Sequence, residues 1–198
     1  MTEKKQMKNG VLTLMRADIT DIEVDSFVFY AQDDLKLSSG FGNSIAMRGG
    51  PTVRKELAEI GPVKVTDVVA TSGGNMKAKF IIHADGPKFQ EEDTEKKLKM
   101  TIGNSLKCAE EKGVDSIAFP PMGAGFYGVP IDRSAEITTE TLALYLNNGV
   151  KIKNIIICAN DNREYKALQK QFNNLKLMGS FKDKKNGTGP MNDKGGKQ

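Results

Sequence analysis

A chain of 198 residues with 38% hydrophobic and 27% charged residues has the balance of a globular protein, long enough for one domain with a substantial core. It holds no run of 18 apolar residues and no signal-peptide-like apolar segment, which argues against a membrane partner and leads us to expect a cytoplasmic protein. The net charge of +4 sits at the ends, with +2 on residues 1–8 and +3 on residues 179–198, so the near-neutral body offers little to a nucleic acid.

Those ends have almost nothing apolar to bury, so residues 1–8 and the basic tail 179–198 are expected to be disordered, leaving 9–178 as the domain. Inside it, "VLTLMRADI" alternates as a strand does and closes on a polar turn. "SFVFYA" is a short continuous apolar run, as in a strand covered on both faces. A loop, "QDDLKLSSGFGNS", leads into a helix over "IAMRGG". "PTVRKELAEIG" predicts another, opening on Pro51 and closing at Gly61. "DVVATSG" and "AKFIIHADG" read as strands joined by the turn "GNMK".

A long helix is predicted over 93–112, its stripe formed by Leu98, Ile102, Leu106 and Ala109. "SIAFP" is a strand that feeds "PMGAGFYGVP". The next helix is predicted from an Asp132 cap to Gly149, then comes the strand "KNIIICAN" and the helix "REYKALQKQFNNL". Such alternation gives a parallel or mixed sheet with helices on both faces, whose ligands bind beyond the carboxyl ends of the strands. Cys108 and Cys158, far apart in apolar runs, read as small buried hydrophobes of a reducing compartment.

The glycine-rich loops carry the chemistry. In "PMGAGFYG" the amides of Met122 to Phe126 meet little side-chain obstruction and precede a helix, which suits an anion nest or a tight crossover turn. No Lys-Ser/Thr follows the glycines, so magnesium-dependent nucleotide hydrolysis is not indicated. "LKLSSGFGNSIA" is a second loop of this kind, with Ser38, Ser39, Gly40 and Gly42 ahead of a helix; two facing anion loops suit a diphosphate. Tyr127 reads equally as a sugar cover or a packed rim residue. In "RADIT", Asp18 is either an acceptor for an exocyclic amine or, with Thr20, a turn cap. The single histidine, His83, has no partner for a triad or a zinc site and reads as structural, and no metal is called for. Asp33 and Asp34, being adjacent, do not form an acid–base pair.

These segments, in order, resemble the macrodomain family of ADP-ribose-binding modules (the ADP-ribose-1″-phosphate-processing group) over about residues 11 to 173. "ADIT" stands for the family's GDIT, "VDSFVFYAQ" for VDAIVNAAN, and "GFGNSIAMRGGP" for the GGGV-type loop and helix. "KFIIHADGP" stands for the VIHTVGP strand, and "IAFPPMGAGFYGVP" for IAFPAISTGxYGYP. The resemblance implies a three-layer α/β/α sandwich with a mixed, mostly parallel central sheet.

It further implies that Asp18 meets the adenine amine and the Ile19 backbone the ring. Gly40, Phe41 and Gly42 would lie near one phosphate and the distal ribose. Gly123, Ala124, Gly125 and Phe126 would cradle the diphosphate, Tyr127 would lie against the distal ribose, and Asn160 would sit on the adenine side. The implied partner is ADP-ribose or a derivative, free or carried on a protein or nucleic acid, with no cofactor. The departures concern catalysis. The two asparagines of NAAN are Phe29 and Gln32, the acid that some hydrolytic members carry after GGGV is Gly42, and the loop's Ser-Thr is Gly123-Ala124. Binding is therefore the first expectation. The alternative is hydrolysis of ADP-ribosyl esters or O-acetyl-ADP-ribose by a substrate-assisted water, with Gln32 as the candidate catalytic residue. A third reading, RNA or single-strand binding, rests on the lysine-rich ends alone.

Overall fold

The computed structural model describes residues 1–38, 40–148 and 151–175, and their strands form one seven-stranded sheet. The strands are β1 (Thr2–Gln6), β2 (Val11–Arg16), β3 (Ser26–Ala31), β4 (Val68–Ser72), β5 (Phe80–Asp85), β6 (Ser116–Phe119) and β7 (Asn154–Ala159). Their order across the sheet is β1-β2-β7-β6-β3-β5-β4. The central five run parallel; β1 and β4 close the edges antiparallel. The helices are α1 (Gly40–Gly49), α2 (Pro51–Ile60), α3 (Thr94–Glu111), α4 (Ile131–Asn147) and α5 (Asn162–Asn174). None of the described helices is long and apolar enough to cross a membrane.

Alternation along the central strands divides the side chains between two cores. Val28, Tyr30 and Ile82 pack with the stripes of α3, α4 and α5, including Leu98, Leu142 and Leu168. Phe27, Ala31 and Ile81 pack with Ile45 of α1 and Val53 and Leu57 of α2. Helices thus cover both faces, which is the expected α/β/α sandwich with its mixed, mostly parallel sheet.

His83 lies fully buried in β5, its Nε2 2.9 Å from the Thr71 hydroxyl. Burial pushes its pKa down to about 3, so it stays neutral. Both cysteines are free thiols, Cys158 buried and Cys108 partly so.

Three local expectations need correction. Residues 1–8 were expected outside the fold, yet Thr2–Gln6 is an edge strand paired with β2. "TEKKQ" has no apolar face to reveal it. It is held by the backbone ladder, by Glu3 accepting from the Tyr165 hydroxyl at 2.8 Å, and by Lys5 donating to the Leu175 carbonyl at 3.2 Å. Its charges also blunt an exposed sheet edge. Second, α1 starts at Gly40, four residues before the end of the expected loop, so Gly40 and Gly42 lie in its first turn. Third, α4 starts at Ile131 behind Pro130, and Asp132 serves in its first turn as an acid beside the positive end of the helix dipole. The expected basic tail, 179–198, lies outside the described residues.

Candidate functional site

β2, β7, β6 and β3 lie side by side and parallel, so the segments leaving their carboxyl ends share one edge of the sheet. They enclose a cavity of about 440 Å³, in the range of small-molecule sites. From β2 to β3 is three interstrand steps, roughly 14 Å at ~4.8 Å each. One end of the cavity is formed by Ile19, Cys158, Asn160 and Glu164, the other by Phe29, Gln32 and the first turn of α1.

The segment after β6 is pinned from below. The Met122 amide donates to the Thr138 hydroxyl at 3.1 Å, the Ser134 hydroxyl to the Met122 carbonyl at 2.7 Å, and the Val129 amide to the Gly123 carbonyl at 3.0 Å. Gly123 and Gly125 take φ of +77° and +70°, a region costly for any residue with a Cβ. A Cβ on Gly123 would lie 2.9 Å from Val129. This backbone leaves the amides of Gly123, Gly125, Phe126 and Tyr127 with no acceptor among the described residues. The Ala124 amide differs, donating to the Pro121 carbonyl at 3.3 Å. Main-chain donors left in this way favour an anion or ordered water.

The first turn of α1 supplies the second set. Its amides have no partner inside the helix and the dipole's positive end lies there. Among the described residues none accepts from Gly40, Phe41 or Gly42. Gly42 is held tightly, since a Cβ there would lie 3.2 Å from the Leu37 Cα and 3.4 Å from the Phe29 ring. Phe29 and Phe41 meet with ring centroids 5.6 Å apart, and Phe29 stands edge-on to His83 at 6.0 Å. Tyr127 packs on Tyr30 at 4.3 Å and donates its hydroxyl to the Tyr30 carbonyl at 3.0 Å; burial pushes both phenol pKa values up. Tyr127 therefore presents its ring, not its hydroxyl, to the cavity.

At the β2 end the polar groups satisfy one another. One carboxylate oxygen of Asp18 accepts from the Thr20 amide at 3.0 Å and hydroxyl at 2.6 Å, and the other pairs with Arg48 at 3.0 Å. Burial raises its pKa, but the Thr20 hydrogen bonds and Arg48 outweigh that and leave it lowered. The turn-cap reading of Asp18 and Thr20 is thus realised, with the Asp18 side chain still 44% exposed to solvent. Opposite, the Asn160 amide donates to Glu164 at 2.7 Å, and Asp161 caps α5 by accepting from the Glu164 amide at 2.8 Å. Burial raises the Glu164 pKa. The Cys158 thiol donates to the Ala17 carbonyl at 3.2 Å, and burial pushes its pKa up to about 12, which keeps it from acting as a thiolate.

A family model described as Macro domain matches residues 31–138. A macro domain-containing protein of Caldanaerobacter subterraneus subsp. tengcongensis is 34% identical over 170 residues, 83% of this chain and 97% of that protein. O-acetyl-ADP-ribose deacetylase 1 of Pantoea vagans is 27% identical over 168 residues, 82% of this chain and 98% of its own. Among solved structures, the Oceanobacillus iheyensis macrodomain, as a mutant with ADPR, superposes with a TM-score of 0.83 at 25% identity, covering 87% of this chain and 97% of that one. The chain belongs to the macrodomain family.

Of the residues singled out in the sequence, this macrodomain brings Ile19, Gln32, Gly40, Phe41, Gly42, Gly123, Ala124, Phe126, Tyr127 and Asn160 to the cavity. Asp18 and Gly125 stand just outside its lining. Lys36, Cys158 and Glu164 line it without having been singled out as site residues. Glu164 had a readable signal, the Asp-x-x-Glu spacing of a capping box in "DNRE". Lys36 had none, since its position depends on how the 32–38 segment folds back. Glu164 is the one carboxylate in the lining, and it stands at the far end from Gln32. Among the described residues, no group of three or more His, Cys, Asp or Glu is placed to hold a metal ion.

Proposed function

We propose that this macrodomain binds ADP-ribose, or a metabolite or modification that carries it, chiefly through main-chain amides. The observation that carries the reading is the pair of donor sets, after β6 and at the start of α1, that border one cavity without acceptors among the described residues. The diphosphate would lie between them. The adenine would enter at the β2 and β7 end, beside Ile19 and Asn160, with its amine toward the exposed part of the Asp18 carboxylate; the terminal ribose would reach Tyr127 and Gln32. The relative solved with ADPR supports the same assignment. Free thiols at Cys108 and Cys158 suit a cytoplasmic protein.

Hydrogen bonds to a charged group contribute about 1.5–3 kcal/mol each, so several of them with adenine burial give roughly micromolar affinity. Calorimetry with ADP-ribose in the presence of a chelator tests this; no heat at millimolar ligand overturns it. Asp18→Ala should weaken ADP-ribose about tenfold and ribose 5-phosphate much less.

The second reading, hydrolysis of an ADP-ribosyl ester or O-acetyl-ADP-ribose, is supported by the Pantoea vagans relative. None of the carboxylates near the β3 end, Asp33, Asp34 and Asp85, lines the cavity to serve as a base, so water would have to be activated by the ligand's own phosphate, with Gln32 orienting the ribose. Release of acetate from O-acetyl-ADP-ribose, followed by mass spectrometry, decides it. Unchanged turnover in Gln32→Ala removes Gln32 from the mechanism.

A further inference from the structure

We propose that the β3 end of the cavity is an aromatic stacking subsite, and that the preferred ligand is a dinucleotide, an ADP-ribose whose terminal ribose carries a heteroaromatic base. The proposal rests on the ADP-ribose reading for the orientation of the ligand: with the diphosphate between the two amide sets, the terminal ribose is delivered to β3.

What the ribose meets there is carbon. Phe29 lines the cavity with its ring against Gly42, where a Cβ would already lie 3.4 Å from the ring. Phe41 leans on that ring at 5.6 Å and remains 37% exposed, so the two form one wall with a free face. Phe126, 77% exposed, adds a further aromatic from the loop after β6. Exposed phenylalanines gathered at one cavity carry a solvation cost that a stacked ring removes.

Two polar groups remain at this end. The Gln32 side chain has no hydrogen-bond partner among the described residues and matches a carboxamide, offering it both a donor and an acceptor. Lys36 is offset by Asp34 at 3.6 Å. Asp34 is held by Lys36 and is not part of the lining, and the lining carboxylate, Glu164, lies at the opposite end, so no acid of the lining faces the glycosidic bond. The site therefore holds such a ligand intact.

Base-on-aromatic stacking predicts that NAD+ binds about tenfold tighter than ADP-ribose. NADH, whose dihydropyridine ring is neither charged nor aromatic, should bind less tightly than NAD+. Calorimetry of the full chain with the three ligands is the test. Phe41→Ala, at a partly exposed position that leaves the main chain in place, should bring the NAD+ to ADP-ribose affinity ratio down to about one. Phe29→Leu does the same while keeping the core filled. NAD+ binding no tighter than ADP-ribose, or a ratio unchanged in Phe41→Ala, overturns the subsite and leaves the ADP-ribose reading standing. Failure of all three ligands overturns both.

Discussion

Two polar regions border the cavity, and they are built on opposite plans. In the turn after β2, side chains answer side chains: Asp18 takes the hydrogen bonds of Thr20 and the charge of Arg48, while Arg48 also donates to the Thr20 hydroxyl at 2.8 Å. In the segment after β6, prolines and positive-φ glycines hold the main chain so that four amides go without a partner among the described residues. The first plan stabilises the fold with or without a ligand. The second leaves its donors to water or to an anionic ligand. Main-chain donors neither titrate nor require a particular side chain, which suits the diphosphate proposed for this site.

The comparison is sharpest in its response to pH. Side-chain regions titrate, and the largest expected effect belongs to the Thr71–His83 pair behind the aromatic wall. His83 is neutral in the folded protein down to about pH 3 but protonates in the unfolded chain near pH 6.5. The unfolded state therefore binds more protons across that window, and stability falls as pH drops through it, by on the order of 4–5 kcal/mol. Asp85 acts in the opposite sense: burial raises its pKa to about 6, so its share of stability is present below the unfolded value and is lost as pH rises toward 6. Denaturant midpoints at several pH values should show the His83 slope, reduced in His83→Gln. ADP-ribose affinity, by contrast, should stay flat over roughly pH 7 to 9, because amides do not titrate there.

The next effect breaks the main-chain region directly. Gly123→Val places a β-branched residue at φ +77° and its Cβ 2.9 Å from Val129, so the segment after β6 must move. Losing two of its amide contacts should weaken ADP-ribose about hundredfold, with roughly 1–3 kcal/mol lost from stability. Titration and denaturant unfolding of the same variant check both numbers. The matching change in the side-chain region is smaller and falls on the fold alone: Thr20→Val removes the hydroxyl that links Asp18 to Arg48. It should cost about 1 kcal/mol in unfolding experiments and change ADP-ribose affinity by less than about threefold.

The two plans also explain what was legible in the sequence. The parallel core was readable because "SFVFYA" and "NIIICA" are apolar on both faces and because the α3 stripe repeats at helical spacing. The loop after β6 was readable because only glycine and proline give that backbone. The fate of Asp18 was not, since Arg48 lies 30 residues on and reaches the carboxylate only after α1 has packed on the sheet. The start of α1 was misplaced because glycines, poor in helix interiors, are tolerated in its first turn beside the cavity. Lys36 and Cys158 reach the lining by tertiary folding alone.

β1 is the element whose sequence concealed it most completely, and it yields the smallest expected effect. Every other residue of "TEKKQ" is exposed, so no hydrophobic pattern marks it and the strand exists because β2 offers a free edge. Lys5 ties it to the end of α5, donating to the carbonyls of Asn173 and Leu175 at 3.3 and 3.2 Å, with its ammonium 5.3 Å from the centre of the Phe172 ring. A cation at the carbonyl end of a helix and over an aromatic face contributes only a few tenths to 1 kcal/mol at the surface. Lys5→Ala should therefore lower stability by about 0.5 kcal/mol and leave ADP-ribose binding unchanged, since Lys5 is remote from every cavity-lining segment. A loss of several kcal/mol in this variant would mean that the charged edge strand depends on one side chain, and that the backbone ladder with β2 does not hold it.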